Sequence, residues 1–221
     1  MALYVDSAFL NSIMEVASTV PLAGVTTNPS ILLAAQEQGQ MLGPLEVLRE
    51  LLAQVEGTIF MQPGATDEEE MHRQALEYIQ ADPLRVIPKI PMTLVGMRVA
   101  RRLKREQRRL AFTAVTSVAQ AYSAAMIEAD YVIPYYGRLQ RAGIDAAQRI
   151  SEMADVLSNA GGATRILTAS IKSVEDATSA LLAGADDLTI APEVLLAMPV
   201  DTLSEEAVVK FTHDWQMMKK V

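Results

Sequence analysis

One lysine of this 221-residue sequence lies in a segment that favours covalent chemistry at an amine. Lys89 is the fourth residue of Val86–Pro91 (Val-Ile-Pro-Lys-Ile-Pro), which contains no acidic residue. Apolar surroundings disfavour the ammonium form and lower the pKa of a lysine, so part of the amine is neutral at cellular pH. A neutral amine adds to a carbonyl and forms an iminium, which accepts the electron pair of an adjacent carbon–carbon bond. A single lysine at a strand end more often reaches out to solvent, so the assignment depends on its neighbours.

Polar residues recur where the apolar runs of the chain end. If those runs are parallel strands of one barrel, their carboxyl ends open into a shared pocket. Buried polar atoms need hydrogen-bond partners, so such a set is poor packing unless it binds a ligand. The residues at or just beyond these ends are Asp6, Asn28, Gln62, Lys89, Thr113, Tyr135 and Ser170. Their convergence favours a reactive Lys89 over a solvated one.

The elements that would position these residues are short aliphatic or β-branched runs, each followed by a stretch of helical periodicity. This alternation is typical of parallel βα units, and eight such units predict a single-domain (β/α)8 barrel over residues 1–221. Periodicity alone leaves an open doubly wound sheet as the alternative. The predicted strands are Leu3 to Asp6, Ala23 to Thr26, Thr58 to Gln62, Arg85 to Ile90, Leu110 to Val115, Tyr131 to Tyr135, Arg165 to Ser170 and Asp187 to Ala191.

An amphipathic segment follows the last predicted strand. Residues Ser204 to Lys220 carry Val208, Phe211 and Trp215 at helical spacing. That is more apolar surface than a free tail would keep. We expect a C-terminal helix that docks on the barrel or on a neighbouring subunit.

Composition and charge narrow the classes of function. The chain has no cysteine and only two histidines, His72 and His213, which argues against a metal centre. Its net charge of -8 argues against nucleic acid or an anionic membrane as a partner, so an anionic substrate needs a local basic site. There is no basic leader and no long apolar run, and we therefore expect a cytoplasmic protein.

The order of the motifs resembles the transaldolase family, in particular its short branch that includes fructose-6-phosphate aldolase. The segments Val25–Ser30 (Val-Thr-Thr-Asn-Pro-Ser) and Val86–Pro91 look like the two signatures of that family. The resemblance covers nearly the whole chain. It continues through Leu3–Asp6, Thr113–Val115, Tyr131–Tyr135, Ala169–Ser170 and Asp214–Gln216.

The resemblance implies a role for each candidate residue. Lys89 would be the Schiff-base lysine, and Tyr135 the general acid and base that moves protons through a bound water. Gln62 and Thr113 would hold that water, and Asp6 and Asn28 would orient the donor hydroxyls and the lysine. Arg138 and Ser170 would receive the acceptor phosphate. The family also implies sugar or sugar-phosphate substrates, no cofactor and a ring-like homo-oligomer, a pentamer or a decamer.

Gln62 separates the two closest activities. The resemblance places a glutamate at this position in transaldolases and a glutamine in the fructose-6-phosphate aldolase branch. We therefore expect an aldolase that releases free dihydroxyacetone, with a transaldolase as the alternative. The sequence departs from the family pattern at Pro63-Gly64, at the bulky Ile133 and at Tyr136-Gly137, which bears on donor size and on phosphate binding.

Two readings outside aldol chemistry stay open. A phosphate-binding barrel isomerase would need a carboxylate base at a late strand end, for which Asp187 is the candidate. A non-catalytic assembly protein would use the C-terminal helix, but it would leave the polar strand ends unexplained.

Overall fold

A computed structural model describes residues 1–218 of the chain, and its strands form a closed barrel. All eight pair in parallel with their sequence neighbours, and β8 pairs with β1. The prediction of a (β/α)8 barrel is confirmed, and the open sheet is wrong. The strands are β1 Leu3–Asp6, β2 Gly24–Thr26, β3 Thr58–Met61, β4 Val86–Pro91, β5 Ala111–Val115, β6 Tyr131–Pro134, β7 Arg165–Ile171 and β8 Asp187–Ile190.

Helices surround the barrel and connect its strands. Many begin at a side chain that accepts a backbone N–H of the first turn, as Asp67 and Thr93 do for α4 and α5, and this satisfies donors with no partner inside the helix. The helices are α1 Leu10–Ala17, α2 Pro29–Glu37, α3 Pro44–Gln54, α4 Glu68–Ala81, α5 Leu94–Arg105, α6 Val118–Ala125, α7 Tyr136–Arg141, α8 Ala146–Asn159, α9 Val174–Leu182, α10 Pro192–Ala197 and α11 Thr202–Met218.

The barrel interior is divided into an aromatic floor and a polar upper part. Phe60 lies edge-on against Tyr4 and Tyr131, with ring centroids 5.4 and 5.2 Å apart, and these rings fill the lower interior. Strand side chains alternate between the interior and the helix layer, so Ile87 faces inward and Lys89, two residues later, does so as well. The polar residues therefore lie above a packed floor, towards the carboxyl ends of the strands.

Two strands carry a bulge near those carboxyl ends. The register between β5 and β6 shifts between Thr113 and Val115, and the register between β7 and β8 shifts between Thr168 and Ile171. Ala114 and Ser170 adopt left-handed backbone angles, with φ of 59° and 62°. A non-glycine residue held this way costs about 1–3 kcal/mol, and such strain is concentrated at functional sites.

The C-terminal helix is present, but none of its described residues is buried. Leu203, Val208 and Phe211 leave 74%, 59% and 65% of their surface exposed. The last two residues of the predicted helix, Lys219 and Lys220, lie outside the described residues. Docking of this helix on the barrel or on a neighbouring subunit stays a prediction. Within residues 1–218, no helix has the length and apolar character needed to cross a membrane.

Candidate active site

Lys89 lies inside the barrel, with its side chain directed away from solvent. It is 1% exposed, and its Nζ donates a hydrogen bond to the Thr27 carbonyl oxygen at 2.8 Å. Burial lowers the pKa of this amine, and the nearby Asp6 carboxylate opposes part of that shift. The Val25–Ser30 segment therefore contacts the lysine through its backbone.

Asp6, at the end of β1, lies close enough to interact with Lys89. Burial raises the pKa of its carboxyl group, while Lys89, a hydrogen bond from Thr26 and the positive charge of Lys172 lower it. The Thr26 hydroxyl donates to Asp6 Oδ1 at 2.6 Å. The pair formed by Asp6 and Lys89 can thus hold either charges or a neutral amine and acid, depending on its surroundings.

Tyr135 and Thr113 form the second polar pair of the site. Their hydroxyl oxygens lie 2.8 Å apart at the ends of β5 and β6. Burial raises the pKa of the Tyr135 phenol, partly opposed by the Thr113 hydrogen bond and by Arg138. The Arg138 guanidinium carbon lies 4.9 Å above the Tyr135 ring, a cation–π distance. Tyr135 thus enters the site protonated at neutral pH, as a general acid requires.

Gln62 follows the last residue of β3 directly. Its Oε1 atom is buried and has no hydrogen-bond partner among the described residues. An unpaired buried acceptor costs about 1–3 kcal/mol, and this amide oxygen can accept a hydrogen bond from a water or from a hydroxyl group. The prediction that Gln62 holds a water is compatible with this geometry.

Asn28 and Ser170 lie at or just beyond the ends of two other strands, β2 and β7. Asn28 also caps α2, because its Oδ1 accepts a hydrogen bond from the Ile31 backbone at 3.0 Å, and its side-chain NH2 remains as a donor. Ser170 lies against α7, where a Cβ on Gly137 would come within 2.7 Å of the Ser170 carbonyl oxygen. The glycine that departs from the family pattern therefore allows α7, which carries Arg138, to approach β7.

Ile133 is fully buried in the barrel interior and pairs in register with Thr113. It also belongs to the same interior cluster as Phe60 and Ile87. The Ile133 side chain thus lies on the strand next to Thr113, whose hydroxyl belongs to the candidate site. There it would narrow the space for a donor substrate. The effect on donor choice stays a prediction.

Asp187 does not lie at the site. It is the first residue of β8, at the opposite end of the barrel, and Arg165 binds both of its carboxylate oxygens at 2.8 and 2.9 Å. A carboxylate held in this way, 1% exposed, stabilises the floor of the barrel and cannot reach a substrate at the carboxyl ends of the strands. The isomerase reading therefore loses its candidate base.

Sequence reasoning gave no role to Thr26, Thr27, Lys172 or Thr189. Thr26 and Thr27 lie within the quoted motif, but the contribution of Thr27 is a backbone carbonyl, which no side-chain pattern can indicate. Lys172 follows Ser170 by two residues, a spacing that could have drawn attention to it. Among residues 1–218, no group of three or more His, Asp or Glu side chains is placed to hold a metal ion.

The structure thus places a buried amine below the open strand ends of a closed parallel barrel, the face at which barrel enzymes carry their active sites. The profile of the family described as transaldolase/fructose-6-phosphate aldolase matches residues 3–221. The chain belongs to this family, which comprises enzymes of aldolase and transferase type.

Relatives across the full length agree with that membership. A "probable transaldolase" of Chelativorans sp. (strain BNC1) is 34% identical over 97% of this chain and 96% of its own length. Another, from Symbiobacterium thermophilum, is 34% identical over 99% of both chains, and one from Alkaliphilus metalliredigens is 32% identical over 100% of both.

Among solved structures, inosine 5'-monophosphate dehydrogenase from Legionella pneumophila superposes with a TM-score of 0.61. The match covers 88% of this chain and 59% of the dehydrogenase chain, at 14% sequence identity. At that identity the likeness shows the barrel fold alone.

Proposed function

We propose that this protein is a Schiff-base aldolase that acts through Lys89. It cleaves fructose 6-phosphate to dihydroxyacetone and glyceraldehyde 3-phosphate and forms it from the same two compounds. The observation that carries the proposal is the buried Lys89 amine. Burial lowers the pKa of this amine, and its Nζ donates a hydrogen bond to the Thr27 carbonyl oxygen. A neutral amine in a pocket of hydroxyl, amide and carboxylate groups is suited to attack a ketose carbonyl.

The proposed reaction begins when the Lys89 nitrogen adds to the C2 carbonyl of the ketose. The carbinolamine loses water and becomes an iminium. Tyr135 gives its proton to the departing hydroxyl of the carbinolamine, and the resulting phenolate, acting through a water held by Gln62 and Thr113, removes the proton of the C4 hydroxyl. The C3–C4 bond then breaks, its electron pair moves towards the iminium to form an enamine, and the aldehyde leaves. Protonation of the enamine at C3, followed by addition of water, releases dihydroxyacetone and restores the amine.

The aldehyde phosphate requires positive charge at the pocket mouth. Arg138 is exposed there and is held over the Tyr135 ring, and Ser170 lies on the adjacent bulge of β7. An arginine fork with a nearby hydroxyl is suited to phosphate oxygens. This local positive charge would attract the phosphate, which the net charge of -8 of the whole chain repels.

The second candidate is a transaldolase, which hands the dihydroxyacetone unit to another sugar phosphate. The names of the relatives favour it, whereas the amide at Gln62 favours the aldolase. Incubation of fructose 6-phosphate without an acceptor distinguishes them. Release of dihydroxyacetone supports the aldolase, and strict dependence on erythrose 4-phosphate supports the transaldolase.

Borohydride trapping tests the covalent step itself. With dihydroxyacetone and borohydride, we expect an adduct on the peptide that contains Lys89, detected by intact-mass and peptide analysis. A Lys89→Met variant should lose this adduct, whereas Lys172→Met, which removes a neighbouring exposed lysine, should keep it. A folded wild-type protein that forms no adduct would rule out the covalent mechanism.

We also propose that the protein is a homo-oligomer. The exposed apolar residues of α11, among them Leu203, Val208 and Phe211, suit contact with a second copy of the chain. Light scattering of the purified protein tests this, since a monomer would contradict it.

A further inference from the structure

A chain of two hydroxyl groups, those of Thr26 and Thr189, leads from the Asp6 carboxylate to β8. Thr26, on β2, and Thr189, on β8, flank β1 on either side, and their hydroxyl oxygens meet 2.5 Å apart inside the barrel. Both residues are fully buried. Thr26 in turn donates to Asp6 Oδ1 at 2.6 Å.

The number of hydrogens sets the direction of this chain. A carboxylate only accepts, so the single hydroxyl hydrogen of Thr26 is used on Asp6. The Thr26 oxygen must then accept from Thr189, whose hydrogen is the only one left between them. Among the described residues, Thr26 is the one side-chain hydrogen-bond partner of Thr189.

Hydrogen bonds that run in the opposite direction, from Asp6 towards Thr189, are less favourable. If Asp6 were protonated and donated to Thr26, Thr26 would donate to Thr189, and the Thr189 hydrogen would be left buried without an acceptor. Such an unpaired group is costly in a barrel interior. If the proton lies on the other carboxyl oxygen, Thr26 still donates to Oδ1, but a neutral carboxyl oxygen is a weaker acceptor than a carboxylate. Successive hydrogen bonds that point the same way polarise and strengthen one another, so the chain favours the ionised form of Asp6.

This contribution matters because of the charges around Asp6. Lys89, Lys172 and Tyr135 are the ionisable groups that interact with it in this site. Lys89 stabilises the carboxylate only while it is itself an ammonium ion, and it must lose that charge before it attacks a carbonyl. At that moment Asp6 loses the counter-charge that stabilises it most, whereas the two hydroxyl groups still donate.

We propose that Thr189 is a positioning residue of this site, which acts through Thr26 to keep Asp6 ionised and oriented while Lys89 is uncharged. The inference rests on the proposed Schiff-base function. It adds a residue whose hydroxyl, among the described residues, has a side-chain hydrogen bond only with that of Thr26.

The chain contains a matched control for this role. Thr168 lies on β7, pairs in register with the residue before Thr189, and is also fully buried, yet its hydroxyl has no hydrogen-bond partner within residues 1–218. Replacing either threonine by valine removes one hydroxyl at nearly constant volume. Only Thr189→Val removes a hydrogen bond that leads to Asp6.

The first measurement is a carbon NMR titration of the Asp6 carboxyl group in the free protein, assigned with Asp6→Asn. We expect Thr189→Val to titrate at a higher pH than the wild type, with Thr168→Val unchanged and Thr189→Ser restored. If Thr189→Val does not fold, Thr189→Ala takes its place. An unchanged Asp6 titration in a folded Thr189 variant would overturn the inference, whether or not the protein proves to be an aldolase.

The second measurement is the pH profile of fructose 6-phosphate cleavage. We expect Thr189→Val to lose about 2- to 10-fold in kcat on the acidic side of the profile, the range of one net hydrogen bond, with little change in KM. A uniform loss at all pH values, equal in Thr168→Val, would indicate a purely structural effect and contradict the proposal. If no aldol activity or trapped adduct is found at all, the proposed function fails, and the NMR titration still decides the role of Thr189.

Discussion

The hydroxyl groups of Tyr135 and Thr113 lie 2.8 Å apart across the ends of β6 and β5. Tyr135 is the first residue beyond β6, and Thr113 immediately precedes the left-handed Ala114. The bulge that follows Thr113 thus occurs where a hydroxyl must meet the phenol. Proton transfer in the proposed reaction depends on this pair.

Replacement of Tyr135 by phenylalanine should separate the covalent step from proton transfer. We expect kcat for fructose 6-phosphate cleavage to fall by about 10²- to 10⁴-fold, the range for losing a general acid or base. Borohydride trapping at Lys89 should persist, because the amine remains. Tyr136→Phe is the control, since this neighbouring tyrosine faces Ser179 and Asp176 instead of the site. Loss of trapping together with kcat in Tyr135→Phe would contradict the assigned role.

The charge of Asp6 should set the pH at which Lys89 becomes reactive. Burial lowers the pKa of Lys89 and Asp6 raises it, so Asp6→Asn should lower that pKa further. The rate of cyanoborohydride trapping rises with pH as the ammonium loses its proton. We therefore expect its midpoint, already below the ordinary lysine value of about 10.4, to move to lower pH in Asp6→Asn.

The control for this shift is Asp155→Asn, which removes an exposed carboxylate in α8. It changes the net charge of the protein by the same amount but should leave the midpoint in place. A midpoint that moves to higher pH in Asp6→Asn would show that Asp6 does not stabilise the ammonium ion.

Gln62→Glu should move the reaction from aldol cleavage towards transfer. A carboxylate beside the iminium can accept a proton and changes the charge around the intermediate, whereas the amide cannot. We expect the ratio of transfer to erythrose 4-phosphate over release of dihydroxyacetone to increase. Gln74→Glu, on α4, is the comparison, because Gln74 binds the backbone of Gly64 and Ala65 and not the pocket. An unchanged ratio would remove Gln62 as the residue that separates the two activities.

Gly137→Ala should weaken phosphate binding more than it affects the aldol chemistry. The added Cβ would lie 2.7 Å from the Ser170 carbonyl oxygen and 3.2 Å from its Oγ, so α7 and β7 must move apart. We expect KM for glyceraldehyde 3-phosphate to rise about 10-fold. This corresponds to the loss of roughly 1.4 kcal/mol of charge-assisted hydrogen bonding to the phosphate. KM for unphosphorylated glyceraldehyde should change little.

Gly162→Ala serves as its control, because a Cβ there meets nothing within 4 Å and the backbone angle is not left-handed. It should leave both KM values near those of the wild type. An equal rise of KM for both aldehydes in Gly137→Ala would indicate a general distortion of the pocket.

Several features of the fold and site were predictable because they depend on local patterns. The apolar runs placed both ends of all eight strands to within one residue, because strands of a parallel barrel are buried on both faces and read as nearly continuous aliphatic runs. The polar residues that end those runs defined the candidate site, whose roles stay predictions, and Lys89 was distinguished from the other lysines by its apolar neighbours. The family membership suggested by the motif order is confirmed.

Other features depended on contacts between distant parts of the chain. Asp187 was the candidate for a carboxylate base because it belongs to a late strand. It is the first residue of β8, however, and its ion pair with Arg165 holds it at the floor of the barrel. The Thr27 carbonyl reaches Lys89 across 62 positions of sequence, and a backbone atom leaves no signature in residue type.

The amino-acid sequence by itself determined that this chain forms a barrel of alternating strands and helices and that one lysine is surrounded by apolar residues. Only the tertiary structure decided which polar groups meet. Thr26 and Thr189 are 163 positions apart, yet closure of the barrel between β8 and β1 brings their hydroxyls to 2.5 Å. Periodicity records which face of an element is buried, whereas hydrogen-bond partners depend on register and curvature, which arise when the whole sheet closes.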